Sequence, residues 1–176
     1  MALTILDLAP TAPWRGAVIR DFAASELFTR TFDEGMALVE ETAGYLDGPG
    51  RQEAKLLSRT AALAYASESM RLTTRLMQIA SWLLVQRAVR EGDMPPEAAC
   101  DERYRIGAEA VCLTEAAVDL DELPMGLVEL LDRSVRLYDR ARHLDRQMYI
   151  DAALEAVPTS PVLAQFDRLR SAFGAA

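Results

Sequence analysis

RQEAKLLSRTAALAYASESMRLTTRLMQIASWLLVQRAVRE, residues 51–91, runs without a glycine or a proline. It predicts one helix from Arg51 to Glu91, roughly 60 Å long at 1.5 Å per residue. Leu56, Leu63, Met70, Met77 and Leu84 recur at a strict interval of seven, with Ala66, Thr73 and Ala80 between them; a second stripe reads Leu72, Leu76, Ile79, Leu83. Two apolar faces call for two sets of neighbours, so this helix belongs at the centre of a bundle. Ser67, Ser69, Thr73, Thr74, Ala80 and Ser81 keep its middle slim, which lets neighbouring backbones approach.

Upstream, Gly48, Pro49 and Gly50 turn the chain. Before them Phe28, Phe32, Met36, Val39, Ala43 and Leu46 share one helical face, which predicts a helix over 25–46; Thr31 and Glu34 have capping-box spacing but lie a turn inside it. Residues 1–24, with Pro10, Pro13 and Trp14 and no sustained period, read as a flexible arm. Downstream, Gly92, Asp93, Pro95 and Pro96 end the long helix and open a weakly periodic region, 94–122, with room for a short helix near Glu97 to Arg103 and a long loop. Pro124 suits a helix first turn, after which Leu127, Leu130, Ser134, Leu137, Ala141, Leu144 and Met148 repeat at threes and fours beside Val128, Leu131, Val135 and Tyr138. The fold class is all-α: an antiparallel three-helix bundle over 25–150 with a long central helix. Residues 151–176 form a flexible C-terminal tail in which Pro158 and Pro161 precede a short apolar stripe.

At 176 residues the chain suffices for one domain that buries its own core. Hydrophobic residues make up 51% and charged residues 26%, a globular balance. A net charge of −8 repels nucleic acid and anionic lipid, so neither is an expected partner. No apolar run reaches the ~18 residues of a membrane span, and Asp7, Pro10 and Pro13 interrupt the only apolar stretch near the start, which speaks against a secretory leader. The expected compartment is the cytoplasm, where Cys100 and Cys112 stay reduced.

Catalytic signatures are missing. His143 is the only histidine, so a di-iron site of paired Glu-x-x-His motifs cannot be built, and a place in a surface ion-pair belt is the better reading. Cys100 and Cys112 stand twelve apart with no second ligand pair, and the glycines form neither a dinucleotide fingerprint nor a phosphate loop. Glu40 with Glu41, and Asp119, Asp121 and Glu122, read as solvated helix surface or helix-start charge rather than cation sites. No cofactor or metal is expected. Glu68, Arg71 and Arg75 are spaced so that both arginines reach one carboxylate; this is either a plain ion pair or an arginine docking patch, and Arg71 and Arg75 are candidate partner-binding residues.

EGMALVEE at 34–41, YLDGPGR at 45–51 and above all ESMRLTTRLMQIASWLLVQRAV at 68–89 resemble the alphaproteobacterial RcdA family, the regulator of CtrA degradation. YRIG at 104–107, VCL at 111–113 and ELP at 122–124 continue the resemblance, which covers about residues 25 to 148. It implies a cytoplasmic three-helix bundle that dimerises and serves as a non-enzymatic adaptor for the ClpXP protease in cell-cycle control. The implied partners are ClpX primed by CpdR, cargo regulators delivered directly, and CtrA delivered together with the cyclic-di-GMP effector PopA. No catalytic residue is carried over.

Helices over 25–46 and 124–148 are much shorter than one over 51–91, so something else must cover the far end. The candidates are the N-terminal arm, the region 94–122, or a second copy packed on Leu76, Ile79, Trp82 and Leu83, and a homodimer is expected. In the tail, Leu163, Phe166, Leu169 and Phe173 are apolar anchors at helical spacing, expected to fold against a partner, and the terminal Ala175 and Ala176 are a candidate degradation signal of the kind ClpX grips. The competing class is a small-ligand sensor or helical-bundle enzyme with a pocket near Met70, Met77 and Trp82. An enclosed cavity there would favour it.

Overall fold

The computed structural model describes residues 13–107, 112 and 122–148. The chain is an all-α bundle built on one long helix. Its elements are α1 (Pro13–Ala24), α2 (Glu26–Asp47), α3 (Pro49–Ala54), α4 (Arg59–Glu91), α5 (Pro96–Ala99), a 3-10 turn at Glu102–Tyr104 and α6 (Met125–Arg146).

Local chemistry sets these boundaries. Ser25 caps α2, its Oγ accepting from the Phe28 N–H at 3.1 Å, so the helix starts there and Thr31 instead donates back to Leu27 inside it. Ser58 caps α4 in the same way, accepting from the Ala61 N–H at 3.1 Å. The single helix expected over 51–91 is therefore two, α3 and α4, parted at 55–58 by a cap rather than by a glycine or proline. Gly92, at φ 82°, closes α4 with its N–H on Ala88 and Val89, a left-handed position that glycine fills without strain.

The expected arm is also corrected from residue 13 onward. Residues 13–24 form a helix that packs on α4 and α5, with Ile19 and Ala23 fully buried and the Phe22 ring tilted against that of Trp82 at 5.7 Å.

The three long helices are not all antiparallel. Arg90 donates to Thr29, and Arg133 and Arg140 reach Glu41 and Glu34, so α2 runs against both α4 and α6. Arg75 meets Ser134 while Trp82 meets Asp145, so α4 and α6 run parallel. Parallel neighbours need a connection that returns the length of the bundle. That is why the stretch from Gly92 to Leu123 is long. Gly35 lets α2 come close at the crossing: a Cβ there would lie 2.7 Å from Leu83 Cδ1.

Candidate functional site

Along its middle α4 buries its charged side chains together with one apolar stripe and leaves the other apolar stripe exposed. Every charged residue between Arg59 and Arg87 turns inward: Glu68 and Arg75 are buried, and Arg71 is half-buried with a nitrogen 3.0 Å from Glu68 Oε1. The heptad stripe faces out. Leu63, Met70, Met77 and Leu84 are 52–73% exposed, and Leu56, just before the helix, is 88% exposed. Seven residues make nearly two full turns, so the stripe stays almost in line. Ala66, Ser67, Thr73 and Ser81 are exposed beside it. The result is an uncharged face roughly 31 Å long from Leu63 to Leu84. Faces of this kind mark contact with another macromolecule rather than with water.

Beside it, α2 and α4 leave an open groove of about 300 Å³ lined by Val39, Thr42, Ala43, Leu46, Asp47, Thr73, Leu76, Met77 and Ala80. Thr42 is buried on its floor with Oγ1 lacking a hydrogen-bond partner. Glu40 and Asp47 are exposed on α2 at the spacing of Ala43's face.

The inward charges hold the returning connection. Arg75 donates through Nε and a terminal nitrogen to the Cys112 carbonyl, at 3.0 and 2.6 Å, and through the other nitrogen to Ser134 Oγ at 2.7 Å. The Tyr138 hydroxyl donates to the Gly107 carbonyl at 2.7 Å. Asp145, 1% exposed, accepts from the Trp82 indole at 3.0 Å and from Arg105 at 3.2 and 3.3 Å. Residues 105, 107 and 112 thus step down α6 past 145, 138 and 134. Burial pushes the Asp145 carboxyl above the ordinary aspartate range against the opposing pull of Arg105 and the indole.

These placements correct two sequence expectations. Arg75 is a buried strut, 3% exposed, and offers no surface to a partner; Arg71 keeps part of its side chain in solvent but is tied to Glu68. Leu76, Ile79, Trp82 and Leu83, expected at a dimer interface, are core residues at 0–4% exposure, because it is the second stripe of α4 that meets α1, α2 and α6. Met70 and Met77 stand outside while Trp82 stands inside, so the three line no common pocket. Leu163, Phe166, Leu169, Phe173, Ala175 and Ala176 lie outside the described residues.

His143 borders a shallow depression with Asp139, Arg142 and Arg146. Both cysteines are buried and unbridged, and burial pushes their thiols up, away from the reactive thiolate. Among the described residues no three histidine, cysteine or acidic side chains gather as for a metal ion, and no helix is long and apolar enough to cross a membrane. The roles of Asp145 and Arg105 were missed by sequence reasoning; an acid seven residues after Tyr138, on the same helical face, was the available signal.

Residues 19–173 match the family DUF1465, described as a protein of unknown function. Among solved structures, the crystal structure of RcdA from Caulobacter crescentus CB15 is similar at 67% identity and a TM-score of 0.63, over 74% of this chain and 98% of that one. No curated protein matches the chain.

Proposed function

The chain belongs to the RcdA family, and from that premise we propose that it is a non-enzymatic adaptor bringing regulatory proteins to the ClpXP protease. The resemblance in sequence suggests the rest of the assembly: ClpX primed by CpdR, cargo bound directly, and CtrA presented together with PopA. The observation that carries the reading is the uncharged outer face of α4, a surface with the properties of a protein contact. Tethering needs no chemistry of its own, only two contacts held at once, which raises the local concentration of cargo at the protease.

We place the homodimer on this same face rather than on the core residues first expected. A stripe whose members repeat every seven residues pairs with itself about a two-fold axis, and Met70 sits at the midpoint of Leu56 to Leu84. Covering Leu63, Met70, Met77 and Leu84 is worth about 1.5–3 kcal/mol for each side chain before the cost of association. The face also brings no charge to charge between two molecules that each carry −8.

The test is reconstituted turnover. With ClpXP, CpdR and a cargo regulator in solution, the chain at substoichiometric amounts should accelerate cargo loss many-fold, and Met70→Glu should weaken that effect. Cargo loss at the same rate with and without the chain would end the adaptor reading.

A further inference from the structure

We propose that the α2/α4 groove is the seat of the chain's own C-terminal segment, residues 162–173, which docks there as an amphipathic helix. This proposal uses the groove and the sequence alone and does not rest on the adaptor reading.

Three observations point to this occupant. The first is shape. The groove is shallow, open and apolar, with small Ala43, Thr73 and Ala80 between larger Val39, Leu46 and Met77. A trough of small residues flanked by larger ones receives the ridge of a helix. Its residues span Val39 to Asp47 on α2, about 12 Å along the axis, and a helix over 162–173 would be about 18 Å long. The volume of about 300 Å³ accommodates anchors of the kind that Phe166 and Leu169 provide.

The second is charge. Glu40 and Asp47 stand on the groove's α2 rim, and its α4 wall is uncharged. Residues 162–173 carry Arg168 and Arg170 against the single Asp167. Arg170 is four residues after Phe166 and three before Phe173, so on a helix it lies beside the apolar stripe, where it can face the acidic rim. A second copy's α4 face has no cation to offer these carboxylates. This distinguishes the tail from a dimer partner.

The third is reach. Met148 is one turn beyond Asp145, which is bonded to Trp82, two residues from Ala80 in the groove wall. Residues 149–161 span up to about 43 Å when extended. The path around one neighbouring helix is roughly 20 Å.

Met77 belongs to both the groove and the outer stripe, so a seated tail shields one of the stripe's side chains. Tail docking and dimerisation therefore share a residue.

Hydrogen exchange on the full-length chain tests this. Amides of 163–173 should exchange at least tenfold more slowly than in a free peptide of the same sequence, and Ala43→Arg should return them to the peptide rate. Ala43 is exposed, so that variant should keep its melting temperature. Phe166→Asp is the second arm: it should abolish the same protection and shift the Met77 methyl resonance. Peptide-rate exchange in the wild type overturns the proposal. So does protection that survives both substitutions, or protection that disappears on dilution, which would assign the groove to another copy.

Discussion

Trp82 donates its indole N–H to Asp145 Oδ1 across 3.0 Å, joining the last third of α4 to the last turn of α6, while Arg105 holds the other carboxylate oxygen. One buried carboxylate thus fixes two parallel helices and a point midway along the connection between them. Asp145→Ala leaves the buried indole N–H without its acceptor, at about 1–3 kcal/mol for a buried donor left unpaired. At 2–4 °C per kcal/mol for a chain of this size, the melting temperature should fall by roughly 2–12 °C. Circular dichroism melts would show it; a fall under 2 °C would mean that the network contributes little.

The same group sets a pH dependence. Burial raises the folded-state pKa of Asp145 above its unfolded value, so between the two the folded state binds more protons. The stability it contributes is full below the ordinary aspartate pKa and is lost as pH rises through the raised folded one. Asp145→Asn cannot titrate. The wild type's advantage over that variant, read from denaturant midpoints, should therefore shrink as pH climbs from 4 towards 7. A difference that widens over that range would contradict the sign.

Arg75→Ala should be far more damaging than a surface change. It removes the charged donor of the Cys112 carbonyl and of Ser134 Oγ, which keeps its own bond to Leu131, and hydrogen bonds to charged groups are worth about 1.5–3 kcal/mol each. A total near 3 kcal/mol lowers the melting temperature by roughly 6–12 °C. Arg71→Ala removes the ion pair to Glu68 at a side chain that still reaches solvent and should cost about 1 kcal/mol. Equal effects of the two would mean that Arg75 is not the strut described.

How much of this was legible follows from what leaves a mark in sequence. The two stripes of α4 were plain, and so was the inference of two sets of neighbours. Which stripe faces inward was not, since both are apolar. The clue was charge: Glu68 and Arg75 share the azimuth of Leu72 and Ile79, and the heptad face has none. The returning connection was illegible for a different reason. It is held by the carbonyls of Gly107 and Cys112, and every residue has a carbonyl, so no pattern records which ones are used. The cap at Ser58 and the α1 stripe of Ile19 and Ala23 were readable but were masked by an unbroken run and by Pro10 and Pro13.

Charge placed on the outer face separates assembly from folding. Met70 is 73% exposed and Met77 64%, so Met70→Glu and Met77→Glu should each shift stability by less than about 0.5 kcal/mol. In a two-fold dimer, however, each substitution appears twice. Losing about 1.5–3 kcal/mol of burial at both positions weakens association by at least about a hundredfold. Ile79→Glu is the contrasting variant: it puts a carboxylate at a site 1% exposed in the core and should unfold the chain outright. Sedimentation velocity across nanomolar to micromolar concentrations, with melts in parallel, reads both effects. The Met70 variant should sediment as a folded monomer where the wild type is a dimer. If it dimerises with unchanged affinity, the contact between copies lies on another face and the uncharged side of α4 is left for a different protein.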